Sequence, residues 1–440
     1  MTIGRPAGVA RRVALGLVPT AAFGLGMLWA LGVHSADEPV GPLRSAAILQ
    51  QLASSGQATP AGGSFDRFEI AGQAIPAPNN RNGDVAFFAS LVRTNAEECL
   101  FIAIGDRISK LAAAGDIIPS GEQIADFTDH ARLALNDTGA VAFVTALAGR
   151  ATGGVFVAAD GKIEPVVLSG AAAPDISGGT LTSFERPAID NSGNVAFLAS
   201  VRRGRDSSDA IFLRRGGELR KLIAAGDAAP GGGIFSGLGA PAMNNHGVVA
   251  FPAIVDQGPI LGGLYVIEEG QARLELAAGS PAPNGGIFAK FSEEVAINDA
   301  GAIAFSAMLR RGGPATAVFV LDGGIARTVA ATGDPAADGS TFAAFPSWPV
   351  LSQSGAIGFV ASLDGGPSSL AIYLAGMAGL KRLAGIGDAL PDGGRLGSFP
   401  RYPAVAIGPD DAITFAATSV RDGTRTDVLF YHGPPRRRSP

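Results

Sequence analysis

Three glutamates, three arginines, a histidine and two large aromatic residues occupy equivalent places in successive stretches of this chain, about 54 residues apart. In order, these places read Ile75-Pro76, Ala131-Arg132 with His130 beside it, Glu185-Arg186, Gly239-Ala240, Glu293-Glu294, Ser347-Trp348 and Arg401-Tyr402. Gathered at one opening, such groups support three kinds of chemistry. The carboxylates and guanidiniums can pair with one another as a plug in a wet channel. The arginines can instead clamp an anionic group while Trp348 and Tyr402 stack on a sugar or aromatic ring. General acid or base work by Glu185 or Glu293 would require a raised carboxylate pKa. His130, Arg132, Glu185, Arg186, Glu293, Glu294, Trp348, Arg401 and Tyr402 are therefore the ligand-binding candidates. None is assigned a catalytic role.

Motifs with firm catalytic spacing are missing from the sequence. It has no Gly-x-Ser-x-Gly elbow, no Gly-Lys-Ser/Thr phosphate loop and no Cys-x-x-Cys. The four histidines, His34, His130, His246 and His432, never fall three to five residues apart as a zinc pair would. No metal site and no cofactor is expected. Cys99 is the only cysteine and sits in an apolar, strand-like run, so it reads as a buried small residue.

The elements that must position these residues are read from a repeat. A phrase ending in Ala-Phe or a near variant returns at Phe87, Phe143, Phe197, Phe251, Phe305, Phe359 and Phe415, at intervals of 54 or 56 residues. That period is too long for a helical hairpin and suits a four-stranded sheet unit. In the fourth copy an inner strand opens at Pro241, Asn244 to Gly247 turn the chain, Val248 to Val255 form a second strand, and two more follow at Gly263 and Ala272. The third strands carry an aromatic column, Phe101, Phe156, Phe212, Tyr265, Phe319, Tyr373 and Phe430, expected to pack blade against blade. The last copy ends after three strands, and its missing fourth matches Leu49 to Gly56, ahead of the first copy. The expectation is an all-β, closed seven-bladed β-propeller of four-stranded antiparallel blades over residues 45–432, completed by an N-terminal strand.

Two further repeats bear on function. Asp116, Asp227, Asp334 and Asp388 follow glycine between copies, with Gln57, Ala171 and Ser280 in the other places. They are expected to cap turns. The connections from second to third strand hold Arg93, Arg150, Arg202, Arg203, Arg205, Arg310, Arg311, Arg421 and Arg425, all on one face. Gathered there, they would polarise an otherwise acidic body. The net charge is −5, and since residues 1–35 carry three arginines and no acidic residue, the remainder carries −8. Nucleic-acid binding is disfavoured on that balance.

Arg11-Arg12, an apolar run from Val13 to Val33 and Val33-His34-Ser35 have the layout of an export signal, cleaved or retained as an N-terminal membrane anchor over residues 1–35. Residues 433–440 read as a disordered basic tail. The phrases Asn80-Gly83-Ala86-Phe87, Asn136-Gly139-Ala142-Phe143, Asn244-Gly247-Ala250-Phe251 and Asn298-Gly301-Ala304-Phe305 resemble the tandem NxxGxxAF repeats of exported bacterial proteins with varied surface anchors. Gly358 and Thr414 depart from that pattern. The resemblance implies export and a repeat fold, with no assigned chemistry. The chain is thus expected to be a periplasmic, cell-surface or extracellular monomer, engaging a protein or an anionic glycan through its loop-rich face. A propeller hydrolase or lyase, with its site at the channel mouth, is the alternative.

Overall fold

The computed structural model of the protein describes residues 48–70, 73–127 and 132–436, and these form strands, turns and loops without a helix. Seven antiparallel sheets follow one another: blade 1 (64–113), blade 2 (123–168), blade 3 (180–224), blade 4 (234–277), blade 5 (287–331), blade 6 (341–385) and blade 7 (395–433). Ile48–Ser54 pairs with Thr424–Gly433 as the fourth strand of blade 7, so the first described strand closes the last blade. Seven hydrophobic clusters each join one blade to the next, and one of them joins Ala412, Ala416, Leu429 and Tyr431 of blade 7 to Phe65, Phe87 and Phe101 of blade 1. This is the closed seven-bladed propeller that the repeat predicts.

The repeated Phe and the aromatic column are the same structural device. Each motif phenylalanine lies directly across the ladder from its column residue, Phe87 from Phe101 through Phe415 from Phe430. The seven pairs are stacked, with centroids 5.2 to 5.8 Å apart and planes 16° to 29° from parallel. Offset rings at that distance add about 0.5–1.5 kcal/mol each beyond the area they bury. Cys99 beside this column is fully buried, and burial pushes its thiol up to about 12, which makes it inert.

The polar turn phrase links blades as well as strands. Asn80 Nδ2 donates to the carbonyl of Asn136, Asn136 to that of Asp190, Asn244 to that of Asn298 and Asn298 to that of Ser352. Blade 7 has Gly408 in this slot and cannot reach forward to blade 1. There the bond runs the other way: Asn79, in a place where other copies carry an apolar residue such as Leu135 or Ile189, donates to the Ala412 carbonyl at 3.2 Å. Thr414, the departure from the motif alanine, donates across the same seam to the Ala77 carbonyl. At the neighbouring seam, a Cβ at Gly358 would lie 2.8 Å from Ile413, so glycine makes room for blade 7. Asp411 replaces the usual turn glycine yet holds the same left-handed conformation, φ 65, and accepts from Ser354 Oγ at 2.6 Å.

The capping role of the Gly-Asp phrases holds. Asp116, Asp227, Asp334 and Asp388 accept the backbone N–H groups of Ala113, Ala224, Ala331 and Gly385 at 2.8 to 3.0 Å, and Gln57 does the same for Ser54. Three sequence expectations are corrected. The inner strand of blade 4 begins at Ile234, not Pro241: Ile234–Leu238 and Ala242–Met243 both pair with Val249–Asp256, with a break between them. The arginines of the second-to-third connections are exposed at one end of the blades, but Asp206, Asp256, Asp364 and Asp422 stand among them, so no unbroken basic surface forms. Gly433 ends a strand, and Arg436 does not extend into solvent: its guanidinium donates to the carbonyls of Gly83 and Ala103, each at 2.7 Å. Residues 437–440, and residues 1–35 that the sequence reads as an export signal or anchor, lie outside the described residues.

Candidate functional site

The charged pairs sit where the inner strands break or bulge. In blade 5, Phe291 ends the first piece and Ala296 begins the second, so Ser292 to Val295 bulge from the inner edge partway along the wall. Ser292 fixes the bulge, its hydroxyl donating to the Glu294 carbonyl at 2.7 Å and accepting the Ser306 N–H at 3.2 Å. Blade 4 contributes a backbone clamp, with Ala240 N–H donating to the Glu293 carbonyl at 2.9 Å. A Cβ at Gly239 would fall 2.6 Å from that carbonyl, and this close approach accounts for the glycine in blade 4. In blade 3 the inner strand is continuous, Thr180–Ile189, and a bulge between Glu185 and Ala188 holds Arg186 at φ 51. A non-glycine residue in that conformation costs about 1–3 kcal/mol, sustained here by what its side chain reaches.

Arg186 Nε lies 3.2 Å from Glu294 Oε1, and Arg132 Nε lies 3.4 Å from the same oxygen. Blades 2 and 5 are not neighbours in a ring of seven, so the Arg132–Glu294 pair spans the axis. Arg186 also stands 3.9 Å from Glu185 and from Glu293. Trp348 of blade 6 completes the cluster: the Arg186 and Arg132 guanidiniums lie 5.3 and 5.8 Å from its ring centroid. Cations over an indole face in a partly desolvated site contribute about 0.5–2 kcal/mol. Of the sequence candidates, Arg132, Glu185, Arg186, Glu293, Glu294 and Trp348 thus converge. Tyr402 lines the same cavity as Arg132 and Trp348, and its ring is covered by Arg401, whose guanidinium lies 5.4 Å from the Tyr402 centroid. Tyr402 is tied to blade 1, its carbonyl accepting the Ala74 N–H at 3.3 Å. His130 lies outside the described residues. The position of the whole set is corrected, from just ahead of the inner strand to its interior.

Two cavities flank the blade 5 bulge. One, of about 620 Å³, is walled by Gln73, Arg132, Met308, Phe345, Trp348 and Tyr402. The other, of about 520 Å³, is walled by Glu185, Arg186, Gly237, Ile254, Leu261 and Arg310. Lys290, Phe291, Ser292 and Glu293 belong to both and form the ridge between them. Sequence reasoning missed Ile254 and Met308. They hold the place three residues after the motif Phe, where the other copies carry Ser90, Ala146, Ser200, Ser362 and Thr418. Comparing that one position across copies would have found them. Among the described residues, no group of three His, Cys, Asp or Glu side chains is arranged to hold a metal ion.

No curated protein matches this sequence. Among solved structures the chain is similar to an oligogalacturonate lyase in complex with manganese, at 14% identity over 89% of this chain and 98% of that one, TM-score 0.49. It is also similar to TolB from Acinetobacter baumannii, at 14% identity over 88% and 98%, TM-score 0.36. A third is the polysaccharide lyase Uly1, at 10% identity over 88% and 98%, TM-score 0.42. At these identities the likeness carries no chemistry over to this chain. A family model matches residues 42–318 and 314–433, which together span every blade, and the chain belongs to that family, DUF7453, a family of unknown function.

Proposed function

We propose that the chain is an exported, non-enzymatic binding propeller that engages a protein partner through its loop-rich face around the two axial cavities. One observation carries the reading. Ile254, Leu261 and Met308 are 56%, 75% and 51% exposed along the cavity walls, and the equivalents of Ile254 and Met308 in other blades are small or hydroxylated. Solvent-facing aliphatic and thioether side chains that no packing requirement explains are what a protein interface supplies. Export rests on the charged, apolar and small-residue order of residues 1–35.

A glycan platform is less well supported by the same walls. The guanidiniums of Arg132 and Arg186 already lie over Trp348, and that of Arg401 lies over Tyr402, so both rings already carry a cation. A hydrolase or lyase at the axis would draw its acid from Glu185 or Glu293, yet both lie beside Arg186, and Glu294 takes two guanidiniums. These carboxylates read as ion-pair acceptors that shape the wall. The test is capture from an envelope fraction with the full chain and with the Ile254→Ser, Met308→Ser double variant. A protein retained by the first and lost by the second supports the reading; retention indifferent to the two substitutions refutes it.

A further inference from the structure

Lys290 is exposed on the ridge that separates the two cavities, and its ammonium makes no hydrogen bond or ion pair with any described residue. Its equivalents are Ser183, Gly237, Ala344 and Ser398 in four other blades, Asp126 in blade 2, and Arg67 in blade 1, which pairs with Glu69 at 3.2 Å. The ridge therefore carries a cation without a counter-charge, on a chain whose net charge is −5. The other charged ridge residue, Glu293, already stands near Arg186. On one side of Lys290 the wall offers Met308 and Phe345; on the other it offers Ile254 and Leu261.

We infer that the site takes an extended peptide segment of the partner with the pattern aliphatic-x-acidic-x-aliphatic, its carboxylate on Lys290 and one aliphatic side chain in each flanking cavity. This rests on the reading of the face as a protein-binding surface and names the chemistry it selects. Three features lead to it. Alternate residues of an extended strand point to one side, so three such side chains meet a cavity, a ridge and a second cavity in order. The exposed Ile254, Leu261 and Met308 side chains match hydrocarbon side chains, and methionine adapts its shape to different occupants. An acidic side chain supplies the charge the ridge lacks, while a lysine there would meet repulsion.

The test is a cellulose-bound array of nonapeptides. One set carries Leu, Ile, Val or Met on either side of a central Asp or Glu at alternate positions. Matched sets replace the acid by Lys or the flanking aliphatics by Ser, and an array of uronate oligosaccharides runs alongside. The full chain is expected to favour the acidic-aliphatic set over the lysine set by roughly tenfold and to lose a similar factor when the aliphatics become Ser. Lys290→Glu should shift the preference to the lysine set. Ile254→Ser and Met308→Ser should weaken binding to every aliphatic peptide without altering the charge preference. Serine stands at the same position in three other blades, so the fold should tolerate it, and an unchanged melting midpoint would verify that. Silence of the acidic-aliphatic set, equal binding of acidic and lysine peptides, or a preference unmoved by Lys290→Glu overturns the inference. Retention of uronates with the peptides silent overturns it in favour of a carbohydrate. In each of these cases, an envelope protein lost on the Ile254 and Met308 substitutions would still leave the broader binding function standing.

Discussion

Gly408→Ala should destabilise the ring through one contact, and its partner should rescue it. A Cβ placed on Gly408 would lie 1.9 Å from Asn79 Oδ1, 2.9 Å from its Cγ and 3.1 Å from its backbone oxygen. Asn79 is 5% exposed and cannot swing away without breaking its hydrogen bond to the Ala412 carbonyl. Overpacking costs about 1–3 kcal/mol and the lost bond about 1, so the single change should cost about 2–4 kcal/mol. Asn79→Ala alone loses the bond but leaves the Ala412 carbonyl paired with the Gly408 N–H at 2.8 Å, a loss of about 1–2 kcal/mol. In the double variant the new methyl enters space vacated by the amide, so the cost should stay near that of Asn79→Ala. The coupling is then about 2–4 kcal/mol, the whole cost of the single Gly408→Ala change, read from urea unfolding midpoints and slopes over the four-member cycle. As a control, Gly139→Ala changes a turn glycine with φ +87 and open space around it, and should cost about 1 kcal/mol in strain with no coupling to Asn79. Additive losses at Gly408 and Asn79, within about 0.5 kcal/mol, would refute the steric account of the closing seam.

Deleting residues 45–56 should lower the melting midpoint sharply, because it removes the ladder from Ile48–Gly433 to Ser54–Val428 and the burial of Ala53, roughly several kcal/mol in all; an unchanged midpoint would refute strand closure. Arg436→Ala should cost about 1–3 kcal/mol by thermal melt, since it frees the Gly83 and Ala103 carbonyls from charge-assisted bonds, and Arg436→Lys should recover only part of that loss. Burial first, then Lys381, holds the His432 imidazole below its ordinary value near 6.5. The unfolded chain then takes up a proton near pH 6.5 that the folded one refuses, so stability should fall as pH drops through that range, and His432→Gln should flatten the fall. Glu98, whose carboxyl burial raises, acts with the opposite sign, so the comparison of variant with wild type, rather than the bare pH profile, isolates His432.

The fold was legible because recurrence is a direct imprint of blade geometry: the motif Phe, its column partner and the orphan strand at Leu49 all repeat at one period. The first half of each inner strand was not. Ile234–Leu238 follows three glycines and is too short to alternate clearly, although its inward residue recurs as Phe65, Leu181, Phe235, Phe288, Phe342 and Leu396. For the site, residue types were visible but partners were not, since Arg132 and Glu294 are 162 residues apart in blades that never touch except across the axis. The departures from the repeat divide on a physical criterion. Those at the seams come in compensating sets: Gly408 with Asn79, Thr414 with the Ala77 carbonyl, Gly358 with Ile413. Arg186 and Glu294 compensate in the same sense, across the axis. Lys290, Ile254 and Met308 have no such complement among the described residues: a cation without an anion and apolar side chains left to water. A departure whose complement lies within the chain is explained by the fold. For these three, the peptide partner proposed above would supply the complement.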